Sequence, residues 1–310
     1  MKIAFLLNAT IRKKEKVIAE VKQTFSKHEI EFFESEYAGH FFSLPQLILD
    51  KGFSILIVIG GDGTLNEVIN GLIQACKLSA DSIDWKRIAT IKIGVYAAGS
   101  GNDFIKTVYK DNQLYSLKKL IENESSQLID IGYVTFFDPS NNPASRYYMN
   151  ITDVGMGGEA VMLKANMPNW LGADFNYFFS ITKTFATYDK VHIHGFGDNF
   201  DWKGKAINFV VANGKYFGNG LGIAPDASVT DGLLDIVIIG DVSTMDYFKH
   251  LNTVKACKKI EHDKIKYAQV QQINIESLED KKISIDMDGE FIGYAPMSLT
   301  CLHGKINFIM

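Results

Sequence analysis

The chain has 310 residues, 46% of them hydrophobic and 22% charged, the make-up of a soluble globular enzyme of about two domains. Its formal net charge of −4 excludes a dominant nucleic-acid-binding surface. No apolar run reaches the roughly 18 residues of a membrane span. The scattered Cys76, Cys257 and Cys301, without CxxC spacing, exclude a disulfide framework and a zinc cluster.

From the N-terminus, "KIAFLLN" reads as a first strand, not a signal peptide, since no small-residue cleavage site follows it. Residues 13–27 place Val17, Ile18, Val21 and Phe25 at helical spacing. "IEFFES" is a second strand and 43–50 a second helix. "SILIVIG" is apolar on both faces, as a strand covered by helices on both sides must be. A helix from about Thr64 to Lys77 comes next, then strand "IKIGVY" and helices within 103–123. This alternation predicts a parallel α/β domain over residues 1–127.

After Asp130 the hydrophobic period becomes two. "QLIDIGYVTF", "RYYMNITDVG", "KVHIHGF", "KAINFVVAN", "LLDIVIIG", "QQINIES", "KISIDMD" and "KINFIM" read as strands parted by turn residues. Helices interrupt them at about 159–166, 172–186 and 243–257. The pattern predicts an antiparallel β-sandwich or barrel over 128–299. The tail from about 300 to 310 is expected to pack back on the first domain.

The chemistry concentrates in glycine-rich turns. Gly60 and Gly61 follow a buried strand, at the carboxyl edge where parallel sheets bind ligands. Glycines allow close approach of backbone N–H groups to phosphate, and the helix from Thr64 adds its N-terminus. The lysine of a Walker A loop is absent. Asp62 inside such a loop has two readings: it engages nucleotide-bound Mg²⁺, or it caps the following helix.

"GGDGTLNEVING" resembles the signature of the diacylglycerol kinase catalytic-domain superfamily, which includes bacterial diacylglycerol kinases and sphingosine and ceramide kinases. "AAGSGNDF" at 97–104 is similar to the family's P-x-G-T-x-N-D-F segment, with Ala97 for proline and Ser100 for threonine. In "ESEYAGH", Ser35 matches a nucleotide-contacting threonine. The first loop, "LNATIRKKEK", keeps the family's Asn8 but not its proline and glycine. The resemblance therefore implies that ATP contacts Asn8, Ser35, Gly60, Gly61, Asp62, Gly63, Thr64, Leu65, Asn66 and Ser100.

The resemblance continues in the second half. "VVANGKYFGNGLGIAPDASVTDGLLDIVII" carries the family's metal turn, which implies a Mg²⁺ held by Asp231 and the main-chain oxygens of Ser228 and Leu233. "ISIDMDGEFIGY" carries its D-G-E motif, which implies Glu290 as the general base; Asp288 either orients Glu290 or belongs to the turn. From the residues alone the same stretch is a hairpin tip. "MGGEAV" at 156–161 places glycines before a helix, and His192 and His194 alternate on an exposed strand face.

The resemblance implies a fold of the NAD kinase/diacylglycerol kinase type, α/β plus all-β. The expected activity is transfer of the γ-phosphoryl group of ATP to the hydroxyl of a diacylglycerol-like lipid, with Asp62 and Glu290 as catalytic groups. A kinase for a soluble substrate such as NAD, and a non-catalytic nucleotide or lipid sensor, are the alternatives. A cytoplasmic protein is expected, meeting its lipid peripherally at a membrane surface and compatible with a homodimer.

Overall fold

The computed structural model describes residues 1–79, 82–99, 101–168 and 173–310 and divides the chain into two units, Met1–Asp130 with Gly304–Met310, and Ile131–His303. The first unit runs β1 (Lys2–Leu7), α1 (Lys14–Thr24), β2 (Glu29–Glu34), a 3₁₀ turn at His40–Phe42, α2 (Leu44–Asp50), β3 (Ile55–Gly60) and α3 (Asp62–Ala75). It continues with the hairpin β4 (Lys77–Ser79) and β5 (Ser82–Ile83), then α4 (Trp85–Ala89), β6 (Lys92–Ala97), α5 (Asp103–Val108) and α6 (Leu114–Glu122).

Its main sheet is parallel, in the order β2-β1-β3-β6. Near the chain's end, Asn307 and Phe308 add a further parallel edge beside Lys92 and Ile93. Every residue of β3 is buried, because helices cover both faces of a parallel sheet. Phe5, Phe25, Ile57 and Leu117 pack into one core on one such face. The order β2-β1-β3 makes the chain reverse its direction of winding between β1 and β3. The loops leaving these strands therefore part at their carboxyl ends, where α/β sheets take ligands. α3 starts at Asp62, two residues before the expected Thr64, since Gly61 is its extended cap.

The second unit takes in most of β7 (Gln127–Phe137), then β8 (Pro143–Tyr148), β9 (Ile151–Gly155), α7 (Met156–Ala165), α8 (Ala173–Thr187), β10 (Val191–Gly197) and β11 (Phe200–Ala212). The short pair β12 (Tyr216–Phe217) and β13 (Leu221–Gly222) precedes β14 (Leu234–Gly240), α9 (Thr244–Lys255), β15 (Ile265–Val270), β16 (Gln272–Ser277), β17 (Ser284–Met287) and β18 (Glu290–Phe308), whose end lies in the first unit. Pairing within this unit is antiparallel. β11 shows how the layers form. Its first half alternates in burial and pairs with β10; its second half is buried throughout, held between β14 and β9.

Three local expectations are corrected. "RYYMNITDVG" is two strands, not one: the Asn150 carbonyl accepts the N–H groups of Asn213 and Gly214 at 2.8 and 3.0 Å, taking the chain out of its ladder. The glycines of "MGGEAV" lie inside α7, not before it. Between α9 and "QQINIES" the sequence reading has no strand, whereas the structure places β15 there; just before it Lys259 pairs with Asp226 and Lys264 Nζ donates to the Asp241 carbonyl at 2.8 Å. His192 pairs with Glu279, and His194 sits between Glu276 and Asp201.

Candidate active site

The loops after β3 and β6 leave neighbouring strands and stay in contact. Ala98 and Gly99 both donate backbone N–H bonds to the Gly60 carbonyl, at 2.9 and 3.2 Å. A Cβ added to Gly99 would lie 2.5 Å from Gly61 Cα. The two backbones therefore touch, and only glycine fits at Gly99.

Asp62 locks this crossing. Its Oδ2 accepts the N–H of Asp103 at 2.8 Å and its Oδ1 that of Phe104 at 3.0 Å. It thus caps α5 rather than its own helix, and α3 opens with no side-chain cap. Such uncapped N–H groups at a helix start favour an anion. Burial raises the Asp62 carboxyl above its ordinary range, partly offset by the two N–H groups, and the charge of Asp103 adds to the rise. Asp103 in turn pairs with Lys106 at 2.7 Å. The Asp62 carboxylate thus ties two glycine loops together.

Asn8, Ser35 and Thr64 are brought together at the ends of β1, β2 and β3. Asn8 Nδ2 donates to Thr64 Oγ1 at 2.9 Å, and Ala9 N donates to Ser35 Oγ at 3.1 Å. Asn8 Oδ1 accepts from Thr10, whose backbone N–H and hydroxyl lie at 3.0 and 2.8 Å. The divergent first loop is thereby closed by Asn8 itself. Lys14 is engaged by Glu34 at 2.5 Å. Gly63 is partly exposed in the first turn of α3, whereas Leu65 and Asn66 point into the interior. Asn66 also accepts from Asn70 Nδ2 on the next turn. Ser100 lies outside the described residues.

In the second unit the D-G-E motif is a two-residue hairpin. Asp288 and Gly289 have φ of 51° and 85°, joining β17 to β18 with Met287 opposite Glu290. Positive φ at both positions matches the twist of the flanking strands. β9 grips the turn: Asp288 N donates to the Ile151 carbonyl and Ile151 N to Asp288 Oδ1, both at 2.9 Å. Thr152 Oγ1 donates to the Asp286 carbonyl at 2.8 Å, and Gly289 N to Asp286 Oδ1 at 2.9 Å. Asp288 therefore belongs to the turn. Asp286 is pushed up to about 7, chiefly by burial and then by the Asp288 charge. Beyond the turn, the Glu290 side chain is 44% exposed and pairs with Arg146 at 3.1 Å. Arg146 lies on β8 and nothing in its spacing linked it to Glu290. Asp103, by contrast, was legible inside the quoted "GSGNDF".

The Asp231 turn gathers oxygen atoms. Asp231 Oδ1 accepts Leu233 N at 3.0 Å, and the Ser228 hydroxyl meets that of Thr230 at 3.2 Å. Asp226 and Asp235 lie close enough for their charges to repel, with the Asp235 carboxyl at about 6 chiefly through burial. An all-oxygen donor set beside surplus negative charge fits a hard divalent cation. Among the described residues no group of three or more His, Cys, Asp or Glu is placed to hold a metal. A cation here would rely on Asp231 and the carbonyls of Ser228 and Leu233.

Comparison with known proteins finds the diacylglycerol kinase catalytic domain over residues 2–134 and the YegS C-terminal NAD kinase beta sandwich-like domain over 152–310. A diacylglycerol kinase of Staphylococcus aureus (strain bovine RF122 / ET3-1) is 25% identical, covering 95% of this chain and 86% of its own. One from Staphylococcus carnosus (strain TM300) is 24% identical over 93% and 86%. A solved diacylglycerol kinase of Bacillus anthracis str. Sterne has a TM-score of 0.68 at 17% identity, covering 99% of this chain and 96% of its own. A second structure from that organism reaches 0.76 at 18% identity, with the same coverage. At such identity the structural likeness speaks to fold.

Proposed function

This chain belongs to the bacterial-type diacylglycerol kinase family, and from that premise we propose that it transfers the γ-phosphoryl group of ATP to the hydroxyl of a diacylglycerol-like lipid. The Asp62 junction carries the reading. It pins two glycine loops at the carboxyl edge of the sheet and leaves the start of α3 for phosphate. The N–H groups of Gly61 and Gly63 hold phosphate oxygens, while Asn8, Ser35 and Thr64 orient the nucleotide.

Bound Mg²⁺ supplies charge neutralisation on the phosphates, and the Asp231 turn has the donors to hold a divalent ion. Glu290 accepts the lipid hydroxyl proton as the oxygen–phosphorus bond forms and the bond to the ADP leaving group breaks. Arg146 pairs with Glu290 and orients its carboxylate. Among the described residues no helix is long and apolar enough to cross a membrane. In this reading the lipid is met at the membrane surface.

The test is radiolabelled ATP with micelles of diacylglycerol, phosphatidylglycerol or a sphingoid base, and with NAD. Label in diacylglycerol is expected. Label in NAD alone, or in no acceptor, would overturn the reading.

A further inference from the structure

Asp153, on β9, is 1% exposed, and neither of its carboxylate oxygens has a hydrogen-bond partner. In the β9–β17 pairing it stands directly opposite Asp286. Opposed residues of an antiparallel pair share a face, with Cβ atoms about 4.5–5.5 Å apart. Two carboxylates at that spacing, Asp153 buried and Asp286 partly buried, resist ionising together near neutrality.

The neighbours decide where the proton sits. Asp286 accepts the Gly289 N–H at 2.9 Å, which favours its charged form, and Lys164 of α7 favours it too. Asp153 has no backbone N–H donor; burial holds its carboxyl well above the usual range, the Asp286 charge adds to this, and the Asn208 side chain of β11 works against it. Asp288 and Glu290 press further negative charge on Asp286 from the hairpin. Tyr188, which follows α8, also feels the Asp153 charge, as it does that of Glu159. α7 closes the site: a Cβ on Gly157 would lie 2.1 Å from Asp153 Oδ1, so the helix rests on the carboxyl and glycine is required there.

We propose that Asp153 is a positioning residue that keeps a proton at neutral pH and shares it with Asp286, holding β9 and β17 in the register that presents Glu290. With the proton in place, Asp286 is free to hold Gly289, and β9 keeps its grip on the turn. Loss of the proton sets two like charges face to face across the strand pair and loosens the hairpin. The link to Glu290 rests on the kinase reading; the shared proton does not.

Asp153→Asn mimics the protonated acid and cannot titrate. Thermal unfolding without substrate, followed from about pH 5 to pH 8, tests the pair. A carboxyl raised in the folded state loses stability as pH climbs from its unfolded toward its folded value. The Tm of D153N minus that of the unsubstituted protein should therefore grow by roughly 3–5 °C per pH unit. A pH-independent difference would overturn the shared proton. Asp286→Asn keeps an acceptor for Gly289 N–H and gives the same test should D153N not fold.

Lipid phosphorylation against pH tests positioning. D153N should be active at neutral pH, with its alkaline loss of activity moved up by about one unit or more. An unmoved alkaline limb would overturn the positioning role. If the unsubstituted protein labels no lipid at all, the kinase reading fails while the unfolding data still decide the acid pair.

Discussion

The Asp62 carboxylate accepts the N–H of Asp103, the first residue of α5, at 2.8 Å, so a side chain of one glycine loop caps the helix that follows the other. A second bond, from Phe104, uses its other oxygen. The glycine loop after β3 and the loop after β6 are therefore tied together.

Asp62→Asn tests that unit. Asparagine offers one acceptor oxygen where two N–H groups need one each, so the loops should separate and turnover should fall at least about 10-fold. Stability should change little. Burial holds the Asp62 carboxyl above its ordinary value, so its charged form costs stability that is absent at low pH and grows as pH rises. Asparagine removes that cost while losing a hydrogen bond, and Tm at pH 7 should stay within about 3 °C. Near-normal turnover at saturating Mg²⁺ would remove Asp62 from the mechanism.

Gly99→Ala tests the crossing of the loops. Its Cβ would meet the Gly61 backbone at 2.5 Å, which no rotamer relieves. A loss of about 1–3 kcal/mol in unfolding free energy is expected, with weaker ATP binding by calorimetry. Wild-type affinity would mean that the loops part freely.

Glu290→Gln tests the general base. Lipid phosphorylation should fall by roughly 10²–10⁴-fold. ATP affinity should hold, because the residues proposed to contact nucleotide belong to the other unit. Stability should fall only modestly, since the glutamine amide oxygen can still accept from the largely buried Arg146. If ATP binding and phosphorylation fall together, Glu290 contacts nucleotide or is structural.

Asp231→Asn tests the metal turn. Mg²⁺ at about 100 times its dissociation constant should stabilise the unsubstituted protein by ~2.7 kcal/mol, and EDTA should reverse the gain. D231N should show no such response in a melting curve. An equal rise in both proteins would place the cation elsewhere.

The layer architecture was legible in the sequence because burial leaves a periodic trace. β3 reads as an unbroken apolar run since helices cover both its faces, and the strands of the second unit alternate where one face stays in water. Family motifs pointed to Asn8, Ser35 and Gly60–Asn66 at strand ends, and to Glu290 after its Asp-Gly turn. The tertiary structure decided which groups meet. Asp62 reaches Asp103, Arg146 reaches Glu290, and Asp153 faces Asp286, each pair far apart in the chain. Strand register and loop crossing set these distances, and neither leaves a local pattern. A carboxylate in the sequence carries no record of whether it will face a backbone N–H, a guanidinium or another carboxylate; only packing chooses the partner, and the partner decides whether the group holds its proton.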